Sequence, residues 1–290
     1  MKKYILLFVL LLSACSFPSS AALEPSIEEG SETDASQTEQ PAQPEDNSPA
    51  ISLPPAAPLP AGPVHMVALG DSLTQGDGDD TGRGYPGRLL EMVNAVRPDS
   101  TLSNFGQSGW SSDALINGDQ GLESQLTRAV SELQNATSQG KAALALVWIG
   151  SNDLWYLYEF GGDIDDAGDA SDAQHFEANI DTILSQLRGT GAQVVIALLD
   201  DQSKRPIALK GEAFVAITPD ELSHMSVHVD VYNQIIRDKA AQYGALIVDF
   251  YATDIFTNPA MLYDDGNHPN QAGYAIIAQK WFDAITPILQ

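Results

Sequence analysis

The stretch VALGDSLTQG, residues 67–76, ends an apolar run on Asp71-Ser72 with a glycine on either side. An apolar run that stops at glycine reads as a buried strand leading into a turn, and Asp or Ser at that point is a common helix cap. The same layout also lifts a serine hydroxyl out at the end of a strand, where a substrate can reach it. The rest of the chain decides between capping and chemistry.

Working outward, four more runs of this kind follow. Strands are predicted over 64–69, 101–105, 142–149, 193–199 and 245–250, with amphipathic helices over 85–96, 122–135, 173–188, 229–243 and 271–286. Five repeats of strand then helix predict an α/β fold, a parallel sheet covered on both faces. In such a fold ligands collect outside the carboxyl ends of the strands. The segments that follow the strands are GDSLTQG, GQSGWSSD, GSNDLWYLYEF, DDQSKRP and, after one short connection, YDDGNHPNQAGYA. Polar and glycine-rich residues therefore converge on one edge.

A serine hydroxyl is a weak nucleophile and needs a base to take its proton as it attacks a carbonyl. Of the five histidines, His65 begins a strand and reads as a surface or satisfied residue, and His175 lies near a helix start and reads as solvated. His224 and His228 have the i, i+4 spacing of a metal pair, but no third ligand pattern accompanies them, so no metal is assigned. His268 follows Asp265 by three residues in a loop that opens the last helix, which puts an acid and an imidazole within local reach. Asp264 is the rival acid, and Asn267 and Asn270 offer helix caps in the same segment.

The blocks GDSL (70–73), NFGQSG (104–109), GSND (150–153) and DGNH (265–268), in this order and each after the expected strand, resemble the GDSL, or SGNH, hydrolase family over essentially all of 64–290. The resemblance implies a three-layer α/β/α sandwich with a flavodoxin-like five-stranded sheet ordered 2-1-3-4-5, and a serine esterase or lipase that needs no cofactor. The expected substrates are small acyl esters, lysophospholipids, acyl thioesters or acylated glycans, cleaved through an acyl-enzyme. The resemblance assigns Ser72 as nucleophile, His268 as base and Asp265 as the acid that orients it. It also assigns an oxyanion hole to the Ser72 amide, the Gly109 amide and the Asn152 side chain, with Gly106 as the alternative glycine. The family often continues its second block with Asp; here Trp110 stands there, so a ring is expected to border the cleft.

Around Asn152, Trp148 reads as core, while Trp155, Tyr156, Tyr158 and Phe160 read as core packing or as one apolar wall for substrate. The piece GGDIDDAGDASDA (161–173) breaks the calcium-loop pattern and is expected to be a solvated acidic loop. The long stretch 200–227, with Lys204, Arg205 and Lys210, is expected to cover the cleft or select substrate.

Before the domain, Lys2-Lys3 and an apolar run to Leu12 lead into Leu12-Ser13-Ala14-Cys15. The run is shorter than the roughly 20 apolar residues that span a bilayer core and has the layout of an export signal. Leu-Ser-Ala-Cys resembles the bacterial lipobox, which implies cleavage before Cys15, the chain's only cysteine, and lipidation there. The expected organisation is a signal over 1–14, a lipidated cysteine and disordered Pro-, Glu- and Ser-rich tether over 15–63, and the hydrolase domain over 64–290. Such a protein would be anchored to a membrane of the cell envelope, and Ser16 fits the outer membrane of a Gram-negative cell. A formal charge of -25, from 39 acids and 14 bases, excludes a nucleic-acid partner and favours neutral or cationic substrates. The competing reading is a silent surface lipoprotein that binds a glycan or a partner in the same cleft.

Overall fold

The computed structural model describes residues 53–160, 165–210 and 217–290. The signal run, Cys15 and the tether as far as residue 52 lie outside the described residues. Among the described residues no helix is long and apolar enough to cross a membrane.

Five parallel strands, β1 (Val64–Gly70), β2 (Thr101–Asn104), β3 (Ala142–Trp148), β4 (Gln193–Ala197) and β5 (Leu246–Val248), form one sheet in the order β2-β1-β3-β4-β5. This is the expected sheet. β3 is buried along its whole length between β1 and β4, which is why its sequence, AALALVW, shows no polar alternation. The order reverses between β1 and β3, so the loops that leave those two strands flank a crevice.

The helices in chain order are α1 (Ser72–Gln75), α2 (Gly84–Val96), α3 (Ser112–Asn117), α4 (Gln125–Ser138), α5 (Ser151–Phe160), α6 (Asp166–Gly189), α7 (Pro206–Lys210), α8 (Pro219–Tyr243) and α9 (Gln271–Leu289). α2 and α9 pack together on one side, and α4, α6 and α8 form the other layer. Beneath α2 and α9, Trp148 stacks on Phe250 at 4.3 Å between centroids and Tyr85 stacks on Trp281 at 5.1 Å. Truncating Trp148, which is fully buried, to alanine would cost on the order of 3–5 kcal/mol.

Three sequence expectations change. Most of the acidic stretch 161–173 is not a solvated loop: α6 begins at Asp166, capped by Asp165, and its first-turn acids Asp166 and Asp169 complement the helix dipole; residues 161–164 lie outside the described residues. α8 begins at Pro219 rather than 229, because Thr218 and Glu221 close a reciprocal capping box. The end of the expected tether is part of the folded body. Over 53–63 the Leu53 amide donates to the Gln242 carbonyl and the Leu59 amide to the Ile288 carbonyl, both at 2.8 Å. Arg97 holds the strap further through the carbonyls of Gly62 (2.6 Å) and Pro60, and the Leu59 side chain is buried.

Candidate active site

Ser72 is the first residue of α1, immediately past the end of β1. The turn that presents it is tight: a β-carbon on Gly70, whose φ is +157°, would lie 2.2 Å from the Trp148 carbonyl oxygen. Gln125 fixes this turn from α4, accepting from the Gly70 amide at 2.8 Å and donating to its carbonyl at 2.9 Å. Sequence reasoning missed Gln125, since nothing local marks a contact made across 55 residues.

The Asp71 side chain caps α1 through the Leu73 amide (2.9 Å), so the capping reading of the opening stretch holds beside the placement of Ser72. Asp71 is 1% exposed, and among the described residues its Oδ2 meets no donor. Burial pushes its carboxyl up to about 7, against the opposing effects of the Leu73 amide and the nearby Arg205 and His268.

His268 reaches Ser72 from the loop before α9. Its Nε2 lies 2.9 Å from Ser72 Oγ, and its Nδ1 lies 2.7 Å from Asp265 Oδ2. The Asp265 carboxyl is pushed up by burial, but the His268 ring and the amides of Asn267 and His268 outweigh this and bring it down to about 2. An ionised carboxylate only accepts, so Nδ1 carries the proton; in the neutral ring Nε2 is then the acceptor and the Ser72 hydroxyl donates to it. Asp264 is exposed and makes no such contact with the ring.

The loop after β2 closes the other side. The Gly106 amide donates to Asn104 Oδ1 at 3.0 Å, whereas the Gly109 amide meets no acceptor among the described residues. Gly109, rather than Gly106, thus has a donor to offer. Asn152, in the first turn of α5, donates from Nδ2 to the Trp110 carbonyl at 3.0 Å and has a second amide hydrogen left over. The Trp110 ring does not border the cleft as expected; it is 3% exposed, and its main chain supplies the contact. Next to Asn152, Asp153 accepts from the Ser112 amide at 2.9 Å and ties α5 to α3, while burial raises its carboxyl to about 6.

The aromatic group divides. Trp148, Trp155 and Tyr158 are core, while Tyr156 and Phe160 are exposed with ring centroids 5.8 Å apart. The Tyr156 hydroxyl donates to the Gly109 carbonyl at 2.8 Å, so this pair extends outward from the Gly109–Asn152 corner.

The other histidines lie apart from Ser72. His65 bonds Thr101 (2.9 Å) and Glu132 (3.1 Å) beside a cavity of about 430 Å³ at the amino ends of the strands. His175 pairs with Asp113 at 2.8 Å. His228 is buried between Asp169 (3.1 Å) and Asp172 (3.3 Å), with His224 3.9 Å from Asp169. Among the described residues no group of three His, Cys, Asp or Glu is arranged to hold a metal ion.

Residues 68–276 match the GDSL-like Lipase/Acylhydrolase family. The uncharacterized protein YpmR of Bacillus subtilis (strain 168) is 24% identical over 230 residues, 77% of this chain and 81% of that protein. The fold is similar to that of the lipase Lip_vut3 from a goat rumen metagenome, with a TM-score of 0.56 and 20% identity over 76% of this chain and 97% of that one. It is also similar to that of Axe2, an acetylxylan esterase from Geobacillus stearothermophilus, with a TM-score of 0.51 and 18% identity over 78% of this chain and 95% of that one. Matched by the family over most of its length, the chain belongs to the GDSL-like lipase/acylhydrolase family and is a carboxylic ester hydrolase.

Proposed function

We propose that the protein hydrolyses short- to medium-chain acyl esters of neutral alcohols, acylated glycans included, through an acyl-enzyme on Ser72. The observation that carries this reading is the unbroken line of hydrogen bonds from Asp265 through His268 to Ser72. As Ser72 Oγ attacks the ester carbonyl carbon, its proton passes to His268 Nε2, and Asp265 steadies the imidazolium. The oxyanion accepts from the amides of Ser72 and Gly109 and from Asn152 Nδ2, donors held in place before the reaction begins. Collapse breaks the ester C–O bond, and the alcohol leaves with the proton from His268. Water then repeats the sequence, giving the acid and restoring the serine.

Two features support the substrate class. The exposed rings of Tyr156 and Phe160 offer an apolar path beside the proposed oxyanion corner, and the excess of acidic residues disfavours anionic substrates. The sequence around Cys15 supports lipid attachment there and a place on a membrane of the cell envelope. The mass of the mature amino terminus from a bacterial host tests that attachment.

The site reading is tested with a fluorophosphonate and with p-nitrophenyl acetate, butyrate and octanoate. A covalent adduct mapped to Ser72, and loss of both adduct and turnover in a folded Ser72→Ala variant, are expected. A folded protein that neither labels nor cleaves any of the three esters overturns the reading and leaves a binding role for the cleft.

A further inference from the structure

The segment leaving β4 carries a guanidinium that the proton relay does not use. Arg205 is 2% exposed, among the largest fully buried side chains. Its Nε and Nη2 fork onto both oxygens of buried Asp200, at 2.8 and 2.6 Å, and its Cζ lies 4.5 Å from the centroid of the Phe256 ring. Its remaining arm, Nη1, donates to Asn267 Oδ1 at 2.7 Å. Asn267 stands between Asp265 and His268, and its own amide donates to Asp265 Oδ1 at 2.8 Å.

Two neighbours of Arg205 hold the same turn. The Ile207 amide donates to the Gly266 carbonyl at 3.1 Å, and Pro206 packs so closely that its Cβ would lie 3.1 Å from a β-carbon on Gly266. On the far side the Tyr263 amide donates to the His268 carbonyl at 2.8 Å. The stretch expected from sequence to cover the cleft therefore begins as a brace under the loop that carries the base. A planar fork is well shaped for such bracing, because two donors lock the guanidinium on Asp200 and so aim the third at Asn267. A lysine ammonium has no such fixed geometry.

We propose that Arg205 is a positioning residue, which acts through Asn267 to hold the 265–268 turn so that His268 meets Ser72. The inference rests on the serine-esterase reading above. It predicts that loosening this contact lowers the fraction of enzyme in which imidazole and hydroxyl are aligned. That loss falls on the chemical step rather than on substrate binding.

The test compares kcat and KM for p-nitrophenyl butyrate in wild type, Asn267→Ala, Asn267→Asp, Arg205→Met and the double variant Arg205→Met/Asn267→Ala, with folding followed by circular dichroism. Asn267→Ala leaves the Arg205–Asp200 pair whole and keeps the test open even where Arg205→Met folds poorly. It is expected to lower kcat by roughly tenfold with KM nearly unchanged, the pattern of a misaligned reacting pair. Asn267→Asp keeps an oxygen for Arg205 and is expected to retain more turnover than the alanine variant. In the double variant the two losses are expected not to multiply. A wild type that labels at Ser72, combined with an Asn267→Ala variant whose kcat is unchanged or whose loss lies in KM, overturns the positioning role alone; so do single losses that multiply in the double variant. A wild type that does not label overturns the reading of the site itself, before any variant is compared.

Discussion

Asp71 and Ser72 are neighbours in the chain with opposite surroundings: Asp71 is 1% exposed with one carboxylate oxygen unmet among the described residues, while the Ser72 hydroxyl lies 2.9 Å from His268 Nε2. The turn that delivers Ser72, the proposed nucleophile, thus seals an acid behind it. Burial holds that acid at about 7, well above the 3.8 of an ordinary aspartate.

The sign of the resulting pH dependence is fixed. Between about 4 and 7 the folded chain keeps a proton on Asp71 that the unfolded chain has released, so this residue makes stability fall as pH rises through that window. Asp153, raised to about 6, acts in the same direction. Asp71→Asn retains an oxygen for the Leu73 amide and removes the titration. Melting curves from about pH 4.5 to 8 are expected to show a shallower decline for the variant, and at about pH 8 a Tm higher by several degrees, the scale of about 1–3 kcal/mol in a protein of this size.

Of the adjacent acids Asp264 and Asp265, only Asp265 touches the His268 ring, and the proposed mechanism gives it alone a role. Asp265→Asn is expected to lower kcat by up to about 10⁴-fold, since an amide permits the wrong imidazole tautomer, whereas Asp264→Asn is expected to stay within a few-fold of wild type. Steady-state kinetics with p-nitrophenyl butyrate check both. Asp265 also stabilises the folded state with the usual sign for a depressed acid: the contribution is present above about pH 4 and is lost as pH falls toward about 2.

Asn152, Tyr156 and Phe160 follow at i, i+4 and i+8 on α5, a spacing of about 6 Å per step along one face of the helix. Phe160→Ala is expected to reduce kcat/KM for the octanoate ester by roughly five- to tenfold, the worth of one or two methylenes left in water, and to leave acetate nearly unchanged. Holding the p-nitrophenyl leaving group constant assigns any change to the acyl side. Equal losses on both esters would remove Phe160 from the acyl path.

The strap over 53–63 is expected to contribute stability without touching chemistry. A chain that begins at Pro63 loses the burial of Leu59, worth about 2 kcal/mol, and the main-chain bonds to Gln242 and Ile288. Thermal melts are expected to show a Tm lower by several degrees, with kcat retained well below the transition.

What can be read from the sequence is what local chemistry marks. The buried strand β3 announces itself as an uninterrupted apolar run, and the Asp265–His268 pair spans only three residues. The start of α8 is marked by the cap signal T-P-D-E at 218–221 and by Leu222 and Met225, which carry the spacing of Val229 and Tyr232 back toward it, but the polar residues between them mask that stretch in a reading by apolar runs. α5 reads as an aromatic cluster rather than a helix because its rings go to two destinations, core and surface. Gln125 and Arg205 carry no local signature; they act on Gly70 and Asn267 across 55 and 62 residues, and only the folded chain pairs them.

Ser72, the proposed nucleophile, follows the first strand, and His268, its proposed base, sits just ahead of α9, 196 positions later. While the polypeptide is being made, Ser72 therefore emerges long before any imidazole can activate it. On the proposed reading the hydroxyl stays chemically idle until the chain has been made as far as His268 and has closed up, so a product cut short of that residue would carry no esterase to discharge in the wrong place.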